Sequence, residues 1–451
     1  MTSVPSGPIE PRQRKDTIVT QFSQTVVLPP GTSAEIGLAT LLPELADLYR
    51  DLHAHPELSM QEARTADIVA RVLRAQGWEV TEGVGRTGVV GVLANGEGPV
   101  VLLRADMDGL PVREDTGLGY ASTDTGIDPD GVTVPLMHAC GHDVHVTCLL
   151  GAAAIYAADR SLWRGTLVVV FQPGEETAQG ARAMIDDGFV ERFPRPDVCL
   201  GQHVGPFPAG VIVTRPGTLM AAADSFRIRL FGRGGHGSAP EHTVDPIVMG
   251  SAVVGRLQAV VSREVAAGDA AVVTVGSFHS GHKENIIPDE AELKVNVRTF
   301  DPDVRDRVLP AIRRVVNAEA AASGAPKDPE FSPLNDFPLT VNDAAATERV
   351  VAALAGAFGS DRVLPMPRPL AGSEDFGVFG TAAGCPSVFW HFGGSDPEAF
   401  AHLDLTASTS LAVPEGVPTN HSPQFAPIID PTLETGVRAL LAAAADWNAA
   451  S

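Results

Sequence analysis

Residues 135–147 read PLMHACGHDVHVT, which places His138, Cys140, His142, Asp143 and His145 within eight consecutive positions. Imidazole, thiolate and carboxylate are the side chains that hold divalent cations. Cys140 and His142 are two apart, a spacing that fails on one helical face but suits an extended loop folded around an ion. A cysteine in such a place binds as thiolate and can bridge two ions. Taken alone, Cys140 could equally be a small buried hydrophobe, and Cys148 and Cys385 are read that way. His138 and His145 read as orienting or structural groups, and His53 and His55 as packing or surface residues.

Further candidates follow apolar strand-like runs. PVVLLRADMD (99–108) ends in Asp106 and Asp108, LVVVFQPGEE (167–176) in Glu175 and Glu176, and PDVCLGQHV (196–204) carries His203. In open α/β sheets the carboxyl ends of the strands line one crevice, so side chains far apart in sequence can meet there. Neighbours in extended backbone point opposite ways. That separates the two glutamates into a cation ligand, Glu176, and a general base, Glu175. Water on a divalent cation has a pKa near 7, within reach of such a base. Asp106 and Asp108 are either ligands or acceptors that fix a histidine tautomer. Asp108 is assigned the second role.

These groups need a scaffold, and the hydrophobic periodicity supplies one. Apolar residues three and four apart predict helices between about residues 34 and 77, with Gly77 as a stop. Short apolar runs then alternate with helices: 87–94 and 99–108 as strands, 144–159 as helix, 165–173 as strand, 180–190 as helix, 196–204 as strand. This rhythm predicts a mainly parallel α/β sheet with helices on both faces. From Ser225 it changes to a β-α-β-β-α-β series closing near 328–335. The expected organisation is an N-terminal extension (1–35), an α/β catalytic domain (36–224 and 337–451) and an inserted α+β domain (225–336).

Composition narrows the function. The 451 residues are 44% hydrophobic and 20% charged, as in ordinary globular proteins. Fifty-five acids against 33 bases give a net charge of −22, which repels phosphate backbones and excludes nucleic acid as a partner. The four cysteines form no C-x-x-C pair and no disulfide framework, which suits a reducing cytoplasmic setting. No stretch reaches membrane-spanning length, and residues 1–35 lack the apolar run of a secretory signal.

Eight motifs occur in order: LHAHPELSMQE, RADMDGLPVRE, MHACGHDVH, QPGEE, GRGGHGSAPEHTVDPI, ENIIPDEAEL, GSEDF and NHSPQF. Together they resemble the amidohydrolase branch of the aminoacylase and carboxypeptidase metallopeptidase family, over about residues 40–445. That branch holds hippurate hydrolases, N-acyl-amino-acid deacylases and indole-acetyl-amino-acid hydrolases. The resemblance implies two divalent ions, manganese or zinc with cobalt or nickel as substitutes, held by Cys140, His142, Glu176, His203 and His421, with Glu175 as base. His421 follows from the resemblance alone. The wider family has H-x-D where this chain has Asp106-Met107-Asp108, which weakens the case for Asp106 as a ligand.

The resemblance further implies that His236 stabilises the oxyanion from across a dimer interface. Asn285 and Arg298 would bind the substrate carboxylate. Read without it, His236 is a solvated turn residue, Asn285 a turn residue and Arg298 a solvated strand residue. The implied assembly is a homodimer, or a tetramer, through the inserted domain. The expected reaction is hydrolysis of an N-acyl amino acid to a carboxylic acid and an amino acid. Dipeptidase or aminopeptidase action and deacetylation of N-acetyl-diaminopimelate are the alternatives within the family. A non-catalytic metal-dependent binder has no use for the second glutamate.

Overall fold

The computed structural model describes residues 26–405 and 412–449. The chain forms two units: a larger one up to Gly217, with Asn342–Arg368 and the chain from Val378, and a smaller one of Thr218–Val341 with Pro369–Gly377. The principal elements of the larger unit begin with α1 (Ala34–Ala54), α2 (Ala63–Ala75), β1 (Glu79–Val84), β2 (Gly88–Asn95) and β3 (Val100–Asp106). They continue with α3 (His142–Ala158), β4 (Gly165–Gln172), β5 (Val198–Pro208) and β6 (Ile212–Thr214). The smaller unit follows with β7 (Ala222–Phe231), α4 (Pro246–Glu264), β8 (Ala271–His279), β9 (Glu290–Thr299), α5 (Pro302–Ala322) and β10 (Glu330–Phe337). The larger unit resumes with α6 (Ala344–Phe358), β11 (Val363–Pro365), β12 (Ser387–Ser395) and α7 (Thr432–Asn448).

Its sheet has the order β1-β2-β4-β3-β5-β12-β6-β11. The four central strands β4, β3, β5 and β12 are parallel. The margins are mixed: β1, β2 and β4 pair antiparallel, as do β12 and β6. Only residues 85–87 separate β1 from β2, too few for the crossover that parallel pairing requires. Both faces of the central strands are covered. Val101 and Leu103 enter the main core, while the equally buried Leu102 points to the other side. Helix α3 is buried on nearly every side, as its continuous apolar run requires.

The smaller unit has the antiparallel order β8-β9-β7-β10 and its own core, with Ile228, Leu230, Leu257, Val297 and Ile312 among its members. Asp245 and Asp301 each accept backbone N–H bonds at a helix start and each precede a proline at the first helical position. Residues 369–377, which the sequence reading leaves in the first domain, join this unit: the Ala221 N–H donates to the carbonyls of Leu370 and Gly372.

Of the expected N-terminal extension, residues 1–25 lie outside the described residues. The remainder is anchored at its start, while residues 29–31, Ser33 and Glu35 are exposed. Val26 and Leu28 are buried in the main core, and Gln76 donates to the Val26 carbonyl. No helix among the described residues is long and apolar enough to cross a membrane.

Gly436 on α7 tests this packing. A β-carbon there would stand 2.5 Å from the Cys148 sulfur and 3.1 Å from the Phe392 ring. Replacing a mid-helix glycine by alanine ordinarily gains up to about 1 kcal/mol. Here overpacking dominates, and Gly436→Ala is expected to destabilise by about 1–3 kcal/mol, read as a lowered urea midpoint.

Candidate metal centre

The ends of the central strands gather the candidate ligands. Asp106 closes β3, and Asp108 follows it. Cys140 lies in the loop before α3, and His142 is that helix's first residue. Between them Gly141 adopts φ 82°, and a β-carbon there would collide with Val204 Cγ1, so only glycine lets the loop lie against β5. Glu175 and Glu176 occupy a short 3-10 turn after β4, bracketed by Gly174 and Ala178 in the left-handed region. The extended backbone expected for the acid pair is therefore corrected. Three residues per turn set successive side chains about 120° apart rather than opposed.

His203 lies on β5 with its Nε2 3.5 Å from the Cys140 sulfur. His421 has φ 71° and donates its backbone N–H to the Ala139 carbonyl at 2.7 Å. Its Nε2 is 3.2 Å from Glu176 Oε1, and His142 Nε2 is 3.9 Å from the same oxygen. Cys140, His142 and Glu176 offer donor atoms within 4.8 Å of one another, so residues 140, 142, 176, 203 and 421 form one linked cluster.

Hydrogen bonds assign the tautomers. His142 faces Asp108 Oδ1 through Nδ1 at 3.2 Å, and His203 donates Nδ1–H to the Val204 carbonyl at 2.7 Å. In its neutral form each ring therefore turns an Nε2 lone pair toward the cluster. His145 does not: its Nδ1 pairs with Asp106 Oδ1 at 2.5 Å, and its Nε2 accepts the Val204 N–H at 2.8 Å. Both nitrogens are engaged, which makes His145 a support. Asp106 Oδ2 accepts from Arg104 at 2.7 Å and lies 3.6 Å from His142 Nε2.

Charges here are strongly shifted. Burial, then Glu176, Glu175 and Asp106, push the Cys140 thiol well above its usual range. Burial lowers His203 far below the usual imidazole value. Burial also opposes a charge on His142, yet Asp106, Asp108 and Glu176 outweigh it and raise that ring to about 10. The pocket is built for positive charge that its own side chains supply incompletely.

The other predicted residues belong to the smaller unit. His236 is exposed and accepts the Ser238 N–H at Nδ1, 3.1 Å away, which leaves the hydrogen on Nε2. Its neighbour across a short ladder is Ile286, and the Asn285 carbonyl accepts the Gly237 N–H. Arg298 on β9 is half-buried. It donates to Asn296 Oδ1, the Ala371 carbonyl and Ser373 Oγ, all neutral.

A model of peptidase family M20/M25/M40 matches residues 102–409. The chain belongs to this family. Among its relatives is a hippurate hydrolase of Campylobacter jejuni, 39% identical over 77% of this chain and 90% of the relative. Another is an N-acetyl-L-cysteine deacetylase of Bacillus subtilis, 34% identical over 84% and 88%. Among solved structures, the YXEP protein of Bacillus subtilis, described as a dinuclear metal binding peptidase, is 29% identical with a TM-score of 0.69 over 90% of this chain and 98% of that one. With these relatives the chain falls in the amidohydrolase branch of the M20 family.

The cluster is also braced by residues that the sequence reading did not assign. Glu62, fully buried, accepts the Gly174 N–H at 2.8 Å and so shapes the turn that presents the acid pair. Asn420 donates to the Cys140 and Val204 carbonyls, tying the His421 loop to the Cys140 loop and β5. His53, read as an ordinary packing or surface residue, is fully buried between Asp143 (2.6 Å) and Glu114 (3.0 Å). The spacing Leu41, Leu45, Tyr49, His53 in steps of four already places it on the inner face of α1.

Burial opposes the charge on His53, but Asp143 and Glu114 prevail and raise it to about 10. The unfolded value is about 6.5. The pair therefore stabilises the fold fully below about pH 6.5, and that contribution is lost as pH rises toward about 10. His53→Gln is expected to cost most stability near about pH 6 and progressively less toward about pH 9, read as urea midpoints across the range.

Proposed function

We propose that this chain hydrolyses the amide bond of N-acyl amino acids, using two divalent cations held by Cys140, His142, Glu176, His203 and His421. The observation that carries this reading is a set of unfulfilled buried atoms. His142 Nε2 and Glu176 Oε1 are buried without a hydrogen bond that meets geometric criteria among the described residues; they lie 3.9 Å apart, with His421 Nε2 3.2 Å from the same oxygen. Leaving such groups unpaired costs about 1–3 kcal/mol each. A cation answers both and reverses the thiol's disfavoured ionisation. The mixed N, S and O donor set suits zinc, manganese, cobalt or nickel. The relatives named for hydrolysing hippurate and N-acetylcysteine support the substrate class.

When bound, two such ions would polarise the scissile carbonyl and acidify water. Glu175 takes the proton of the attacking water and passes it to the nitrogen of the departing amino acid. Asp108 holds His142 in register throughout. His236, its hydrogen fixed on Nε2, donates to the oxygen that becomes negative. It does so from the partner subunit of a dimer formed through the smaller unit. Exposed Ile247, Val248, Val272 and Phe278 on that unit are apolar surface that a second copy would cover. Arg298, with no acid partner among the described residues, receives the substrate carboxylate beside Asn285.

Glu175→Gln is expected to retain both ions and lose turnover by about 10²–10⁴-fold, whereas Cys140→Ser loses metal occupancy. Metal analysis beside rates on benzoyl, acetyl and indole-acetyl amino acids checks both. Substantial activity in the Glu175→Gln protein overturns the base assignment. His236→Ala is expected to lower kcat by about a hundredfold or more. Mixing it with Glu175→Gln restores partial activity if sites are shared between subunits, and no rescue counts against sharing.

A further inference from the structure

Two thiols outside the candidate centre also meet. Cys199, near the start of β5, and Cys385, just before β12, lie with their sulfurs 3.6 Å apart. The backbone fixes this approach. Cys199 donates its N–H to the Pro386 carbonyl at 2.9 Å and stands opposite Ser387 in the parallel ladder, while the Cys385 N–H donates to the Gly380 carbonyl. The two differ in access: Cys199 is buried, and Cys385 is only half-buried. Arg195 lies beside the exposed member. Its Nε donates to the Ala383 carbonyl at 2.6 Å, and its Nη2 is 2.9 Å from where a β-carbon on Gly384 would stand.

The chemistry of the pair is asymmetric. Either sulfur can donate in this contact; the contact with Cys199 lowers Cys385 from its ordinary value, and Arg195 adds to the effect while burial and Asp197 oppose it. The same hydrogen bond, then burial, raises Cys199. A lowered, accessible thiol next to a buried one is the arrangement of an attacking and a resolving cysteine.

We propose that Cys199 and Cys385 form a reversible dithiol–disulfide site that reacts with hydroperoxides, Cys385 attacking and Cys199 resolving. The Cys385 thiolate attacks the terminal peroxide oxygen. The O–O bond breaks, hydroxide or alkoxide leaves, and Cys385 becomes a sulfenic acid. The Cys199 sulfur then attacks the Cys385 sulfur. The S–O bond breaks, and the departing oxygen leaves as water with the Cys199 proton. Two electrons pass from the sulfurs to the peroxide, and a thiol reductant reverses the bond by exchange. Neither thiol is among the proposed metal ligands, so the site does not depend on the hydrolase reading.

Peptide mapping of the whole protein tests this. Reduced protein is treated with hydrogen peroxide, alkylated under denaturing, non-reducing conditions and digested. The expected product is a peptide pair joined through Cys199 and Cys385, two hydrogens lighter than its separate members and lost on dithiothreitol treatment. In Cys199→Ser, Cys385 takes up a dimedone adduct that the wild type lacks. If peroxide-treated wild type shows Cys385 as free thiol or sulfinic acid with no linked peptide, or Cys199 joined to another cysteine, the proposal fails. That map needs no variant to fold.

Discussion

One buried carboxylate holds the candidate centre together. Asp108 accepts from the backbone N–H groups of Glu175 and Glu176, from Ser59 Oγ at 2.6 Å, and from the His142 ring. It thereby joins the end of β3 to the turn after β4, to the first residue of α3 and to the segment between α1 and α2. Burial alone would protonate it, but the bond and charge of His142 and the hydroxyl of Ser59 outweigh that and keep it lowered. A carboxylate with this many donors is a rigid post. Shortening or neutralising it would release the acid turn and the histidine together.

Around that post the pocket concentrates negative charge. Asp106 is anchored by Arg104 and His145, and Glu62 beneath the acid turn is raised to about 7, first by burial and then by Asp108. Glu176 adds a buried oxygen that faces His421 Nε2 at 3.2 Å and His142 Nε2 at 3.9 Å. Acids placed this close repel one another unless protons or cations intervene. Membership of the M20 family and this charge pattern are therefore two faces of one design. Hydrogen bonds occupy Nδ1 of His142 and of His203 and turn the Nε2 of each ring toward the cluster.

Much of this was legible in the sequence, and the gaps have physical causes. The runs 99–108, 165–173 and 196–204 became β3, β4 and β5 because near-continuous apolar strands need cover on both faces. Their polar ends then had to meet. The β-α-β-β-α-β rhythm was equally plain, since alternation and helical spacing differ in period. His421 was not, because a left-handed loop residue has no periodicity to betray it. The acid turn misled, since an apolar strand gives no notice that Gly174 ends it. His53 looked bland because a helix face shows which residues are buried, not which acids await them. The approach of Cys199 to Cys385 depends on strands brought together across 186 positions, and no local pattern encodes that.

The topology also orders events on the ribosome. Strand β5 sits in the middle of its sheet, yet its neighbour β12 is translated only after the whole of the smaller unit. Until Ser387 emerges to pair with Cys199, the growing sheet ends in an apolar edge with unsatisfied peptide groups. The smaller unit has its own core and its strands are contiguous, so it can complete itself during that interval. A nascent chain stalled there would carry one finished body and one half-built sheet, and the open β5 edge is where a chaperone would find it.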